Sequence, residues 1–194
     1  MQAETDARQA HNPPAEASHV TPATAGSSAG AHRRAVLLGV GNILLSDEGV
    51  GVRLVERLMV GHRMPTGLQV LDGGTCAMEM LEDLEHLDLL VIADCVRSGR
   101  SPGSVVVLRD DEVPTFFRTK LSPHQVGLAD VLATLQFVGR APRRTVVVGV
   151  EPQSLATGMT LSAPVRAALA EAEAELLDAL AGGGYGLEAL REAA

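Results

Sequence analysis

Three residues far apart in the chain, Glu48, Asp94 and His124, offer two carboxylates and one imidazole. That donor set suits a borderline divalent ion such as nickel, zinc, iron or manganese. Three protein ligands also leave coordination positions open for water or substrate. Each residue has a plainer reading as well. Glu48 in a first helical turn interacts favourably with the helix macrodipole, Asp94 at a strand end caps a turn, and His124 near a helix start is an ordinary exposed side chain. Their spacing gives the metal reading no independent support, so that reading depends on the fold bringing them together.

Other motifs carry less. Gly39-Val-Gly-Asn-Ile-Leu44 begins like a dinucleotide fingerprint, but Leu44 stands where the third glycine belongs. Its apolar Ile-Leu-Leu segment occupies the place where phosphates would approach. Gly26 to Gly30 and Gly99 to Gly103 both match G-x-S-x-G, but neither has the strand-then-helix context of a nucleophile elbow. Cys95 beside Asp94 reads as a small buried residue, because a neighbouring carboxylate raises a thiol pKa.

Composition narrows the class. The chain has 194 residues and a formal net charge of −8, with no Trp, one Tyr and three Phe. A nucleic-acid binder usually carries a basic face and stacking aromatics, so that class is disfavoured. Lys120, the only lysine, sits in Thr-Lys-Leu and cannot serve a P-loop. No apolar run approaches the length of a membrane span. The two cysteines, Cys76 and Cys95, do not make a disulfide framework. Without a charged segment leading into an apolar stretch, the N-terminus does not read as a secretory signal, and the expected location is cytoplasmic.

The elements that must position the three candidate ligands alternate between strand and helix. Ala35 to Val40 is a continuous apolar run, as expected of a strand buried on both faces. A helix is expected from near Asp47 to near Val60, with Ser46 as N-cap. Further strands are expected at Leu68 to Leu71, Leu89 to Ala93, Ser104 to Leu108 and Thr145 to Val150. Met78, Leu81 and Leu84 suggest another helix. Ser122-Pro-His-Gln125 reads as a helix start with Ser at N-cap and Pro at N1, and Ser162-Ala-Pro-Val opens a last helix to about Leu180.

This alternation predicts an α/β fold, a three-layer α/β/α sandwich around a mostly parallel five-stranded sheet. Residues 34–181 form its domain. Seventeen of residues 1–33 are Ala, Pro, Ser or Gly, too little apolar surface to offset ordering entropy, so a disordered extension is expected there. Residues 182–194 are expected as a flexible tail after the glycines at 182–184. Ligands of open α/β sheets bind beyond the carboxyl ends of the strands. Asn42, Asp47 and Glu48 come after the first strand, Asp72 and Thr75 after the second, and Asp94 and Cys95 after the third.

Four segments together resemble one family. Leu37-Leu-Gly-Val-Gly-Asn-Ile-Leu-Leu-Ser-Asp-Glu-Gly-Val-Gly-Val52, Leu71-Asp-Gly-Gly-Thr75, Ile92-Ala-Asp94 and Leu121-Ser-Pro-His-Gln-Val-Gly-Leu-Ala-Asp130 resemble, in order and spacing, the [NiFe]-hydrogenase maturation endopeptidases. The resemblance spans about residues 35–180. It implies removal of a short C-terminal extension from the hydrogenase large-subunit precursor after nickel insertion. It implies Glu48, Asp94 and His124 as metal-contacting residues, and Asp72, Gly73, Gly74 and Thr75 as a substrate-recognition segment. The nickel would come with the substrate, and zinc or cadmium could occupy the site in vitro. Asp47 or Asp72 could orient the attacking water, or the metal could act as a Lewis acid. The expected partner is the precursor, with no nucleic acid and no membrane. Two other readings stay open: a non-enzymatic nickel-binding chaperone or sensor on the same fold, and a nucleotide-binding module using Gly39 to Gly41.

Overall fold

The computed structural model describes residues 34–75, 77–119 and 123–190, and at 77–78, 117–119 and 123–126 the backbone alone. The extension expected as disordered, Cys76, the expected N-cap Ser122 and residues 191–194 lie outside the described residues.

The described residues form seven strands: β1 (Ala35–Val40), β2 (His62–Arg63), β3 (Leu68–Gly74), β4 (Leu89–Cys95), β5 (Val105–Arg109), β6 (Thr145–Val150) and β7 (Glu188–Ala189). The helices are α1 (Val50–Gly61), α2 (Glu112–Thr119), α3 (Pro123–Phe137) and α4 (Ala163–Gly182). Five strands make one sheet in the order β3-β1-β4-β6-β5. All neighbours are parallel except β5, which runs antiparallel to β6 at the edge. The sheet is therefore mostly parallel and five-stranded, as expected.

Alternation along the strands explains why both faces are covered. Leu37, Val91, Ala93, Val146 and Val148 join Leu54 and Leu58 of α1 and Val165, Ala172 and Leu176 of α4 in one core. Val36, Leu38, Leu90, Ile92 and Val147 join Val113 of α2 and Leu128, Val131 and Leu135 of α3 in the other. Side chains one residue apart on a strand point to opposite faces, and here both parities are apolar, giving the three layers.

The order of strands reverses at β1. The chain leaves β1, pairs on one side through β3, then crosses to the other side as β4. That switch point opens a crevice beyond the carboxyl ends of β1 and β4. Gly51, near the start of α1, lets the helix approach it. A Cβ there would stand 2.2 Å from the Ala93 carbonyl oxygen and 2.4 Å from that of Val40. The helix start thus rests directly on the last residues of the two switch-point strands.

Several local expectations are corrected. Ser46 does not cap a helix. It has φ 50°, opens a 3-10 turn over Ser46–Gly49, and donates its hydroxyl to the Ala156 carbonyl at 2.9 Å. The Met78–Leu84 pattern yields only a 3-10 turn (Ala77–Met80) and further turns, because His86 adopts φ 54° and donates its N–H to the Arg140 carbonyl. β3 and β4 run past their expected ends to Gly74 and Cys95, so Asp72 and Asp94 lie within strands. Helix α2 has no counterpart among the expected elements. The segment expected as a flexible tail carries structure as far as Leu190: Tyr185 is buried and β7 pairs antiparallel with β2. No helix among the described residues is long and apolar enough to cross a membrane.

The Gly51 contact is testable in isolation. Gly51→Ala should lower stability by about 2 kcal/mol or more, since backbone on both sides cannot yield as a side chain would. Val60→Ala, at a position 80% exposed, should change it by less than about 0.5 kcal/mol. Urea unfolding compares the two, and an unchanged midpoint for Gly51→Ala would refute the close-approach account.

Candidate functional site

The crevice is built from the loop after β1. Gly41 has φ 130°, and a Cβ there would stand 1.8 Å from the Glu48 carbonyl oxygen, so only glycine fits. Its N–H donates to the Gly74 carbonyl at 2.9 Å, tying this loop to the end of β3. The chain then folds on itself. Leu44 N–H donates to Asn42 Oδ1 at 2.9 Å, Leu45 N–H to the Asn42 carbonyl at 3.1 Å, and Glu48 N–H to the Leu45 carbonyl at 3.1 Å.

Asp47 and Glu48 come next, in the 3-10 turn, and both are buried. Asp47 Oδ1 accepts the Ser162 N–H at 2.6 Å, while Oδ2 accepts those of Gln153 and Ser154, each at 2.9 Å. Burial by itself would raise this carboxyl's pKa, but the donors from Ser162, Ser154 and Gln153 outweigh it and hold the group below the ordinary range. Asp47 is thus an anion clamping the 3-10 turn to the segment between β6 and α4. Backbone bonds reinforce the clamp: Ser46 N–H to the Gly158 carbonyl, Asp47 N–H to that of Ser154, and Gly158 N–H to that of Leu44.

Asp94 is fully buried in β4, and its Oδ1 accepts the Cys95 N–H at 2.7 Å. It shares strand parity with Leu90 and Ile92, the parity that faces α3. The buried Cys95 thiol is pushed well above the ordinary thiol value, first by burial, then by the charges of Asp94, Glu48 and Asp47. Glu48 sits in the 3-10 turn after β1 and Asp94 near the end of the neighbouring strand β4, so both lie at the switch point. His124 is the second residue of α3, as expected, and its side chain lies outside the described residues. Among the described residues no three metal-binding side chains converge.

Asp72 differs from Asp47 in being exposed. Its Oδ1 accepts the Gly74 N–H at 2.9 Å. A one-residue irregularity in the β1–β3 register, where Val40 pairs with Gly74, brings Gly73 against Leu38 and turns the strand end toward the crevice. Asp72, Gly74 and Thr75 line an open groove of about 280 Å³ together with Gly41, Asn42, Ile43, Leu44 and Val52.

The glycines at 39 and 41 do not form a phosphate cradle. Gly39 packs against Gly51 and Val55, and the Gly41 N–H is taken by Gly74. Glu151 is a site residue that sequence reasoning missed. It is buried, and its Oε2 accepts the N–H and hydroxyl of Ser98, both at 2.6 Å, and the N–H of Gly99 at 3.0 Å and Arg100 at 3.3 Å. The carboxylate thereby anchors the loop that leaves β4 after Asp94 and Cys95. A signal exists in the sequence, since Glu151 directly succeeds the apolar run 145–150, as Asp94 succeeds that of β4.

A family model described as hydrogenase maturation protease (HycI) matches residues 52–179. The chain is 47% identical over 148 residues to the hydrogenase 2 maturation protease of Escherichia coli K12, covering 76% of this chain and 90% of that protein. It is 45% identical over 148 residues to the hydrogenase expression/formation protein HupM of Azotobacter chroococcum, covering 75% and 71%. Among solved structures, the hydrogenase maturating endopeptidase HybD from E. coli superposes with a TM-score of 0.78 at 45% identity, covering 80% of this chain and 97% of that one.

If Asp47 is a clamp, Asp47→Ala should take the carboxylate partner from three part-buried N–H groups and cost at least about 2 kcal/mol. Hydrogen exchange should speed up at Gln153, Ser154 and Ser162 while β1 and β4 stay protected. Unchanged exchange at those three amides would contradict the clamp.

Proposed function

The chain belongs to the hydrogenase maturation protease family, and on that premise we propose that it is the endopeptidase that removes the C-terminal extension of a [NiFe]-hydrogenase large-subunit precursor once nickel has been inserted. The observation that carries this reading is the pair of buried carboxylates, Glu48 and Asp94, at the sheet's switch point, with an open groove lined by the loop after β1 and the end of β3.

The nickel belongs to the substrate. Glu48, Asp94 and His124 form a donor set of two carboxylates and one imidazole, suited to a borderline ion with open positions. They complete the coordination of an ion already held by the precursor, and so dock the scissile peptide against the crevice. An empty precursor offers no ion for this contact, so it is docked poorly. That makes nickel loading the condition for cleavage, and zinc or cadmium a stand-in on the free protein.

The two carboxylates expected to orient water take different parts. Asp47 is buried with both oxygens held by backbone, so it positions Glu48. Asp72 is exposed in the groove and is the general base: it takes a proton from water as the oxygen attacks the scissile carbonyl, and returns it to the leaving amine. Gly74 and Thr75 border the same groove and receive the peptide, with Gly73 packed beneath them against Leu38. The work is done in the cytoplasm, where the precursor is made.

Mass spectrometry of the precursor tests this. Incubated with this protein, nickel-loaded precursor should lose a C-terminal peptide and nickel-free precursor should not. His124→Ala and Asp94→Asn should each slow cleavage at least about a hundredfold, and His124→Ala should keep its melting temperature. Metal binding by a folded protein that cleaves neither form would instead support a nickel-binding chaperone.

A further inference from the structure

The apolar half of the groove has no part in that mechanism. Ile43 is 37% exposed and Leu44 56% exposed. Isolated surface apolar residues are common, and Val60 and Phe137 on helix ends are more exposed still. Two features set Ile43 and Leu44 apart. They line the same groove as Asp72 and Thr75. They are also held rigidly. Leu44 has its N–H bonded to Asn42 Oδ1 and its carbonyl bonded to the Gly158 N–H, both at 2.9 Å. Ile43 is backed by Gly49, where a Cβ would stand 2.7 Å from the Ile43 Cα. The bonded backbone holds these two aliphatic residues at the groove instead of leaving them on a free loop. Rigid presentation lowers the entropy cost of binding an apolar group.

We propose that Ile43 and Leu44 form a specificity subsite for an aliphatic side chain of the precursor segment next to the cleaved bond. This rests on the reading of the groove as the peptide site. The same groove carries the water-orienting Asp72, so a chain lying with its scissile carbonyl near Asp72 brings a neighbouring side chain within reach of Ile43 and Leu44. An aliphatic group seated there sheds water together with Leu44, whereas a charged or hydroxylated one would lose hydration without a partner.

The test is a cross between enzyme and substrate variants. The enzymes are the wild type, Leu44→Ala and Leu44→Asp, with Val60→Ala as a surface control. The substrates are the nickel-loaded precursor and precursors in which each aliphatic residue within three positions of the cleaved bond is changed to Ser. Leu44→Asp should lower kcat/KM at least about tenfold, mainly through KM, with an unchanged melting temperature. One precursor substitution should be costly with wild-type enzyme and nearly silent with Leu44→Ala, while Val60→Ala behaves as wild type. If every precursor substitution costs the same with wild type and Leu44→Ala, or if Leu44→Asp cleaves as well as wild type, the subsite is overturned. Failure of the wild type to cleave loaded precursor would instead bring down the proposed function on which the subsite rests.

Discussion

One buried carboxylate, Asp47, holds the working end of this molecule together. Its three backbone donors come from the segment between β6 and α4, while its own backbone belongs to the turn after β1. The bond set therefore spans the switch point, from the loop on β1 to the connection beyond β6. An anion bonded to backbone N–H groups is about twice as strong an anchor as a neutral pair. What it fixes is Glu48, the next residue. Without that clamp the turn would be held by its backbone bonds to Ser154 and Gly158 and the Ser46 hydroxyl, and Glu48 would be less firmly placed.

Glycine does the complementary work from below. Gly51 admits the start of α1 onto the carbonyls of Val40 and Ala93, and Gly41 passes beneath the carbonyl of Glu48. Together these contacts hold the turn that carries Glu48 against the carboxyl ends of β1 and β4, the strand of Asp94. In the proposed reading, the ion that arrives with the substrate is met there by Glu48, Asp94 and His124.

Much of this is legible in the residues. The apolar runs at 35–40, 89–93 and 145–150 read as buried strands because both parities are apolar, and the alternation with helices implies a parallel sheet. Asp47, Glu48, Asp72 and Asp94 stand out as polar residues close after the apolar core of each strand. The roles of Asp47 and Asp72 are not separable that way, because the difference lies in donors from residues 153, 154 and 162, more than a hundred positions from Asp47. Ser46 looks like a cap because its type is right for one, yet its hydroxyl is drawn to Ala156. The pattern at 78–84 looks helical because spacing alone does not reveal the break at His86. Tyr185 shows the same limit at the other end: glycines at 182–184 suggest a tail, and one buried ring holds the chain to the core beyond them.

The central claim is that Glu48, Asp94 and His124 form one coordination site. Anomalous diffraction from crystals of this protein soaked in cadmium tests it directly. The account predicts one dominant peak within bonding distance of a Glu48 oxygen, an Asp94 oxygen and an imidazole nitrogen of His124, and its loss in Asp94→Asn. A dominant peak elsewhere, or one that touches Glu48 and Asp94 but leaves His124 distant, would contradict it.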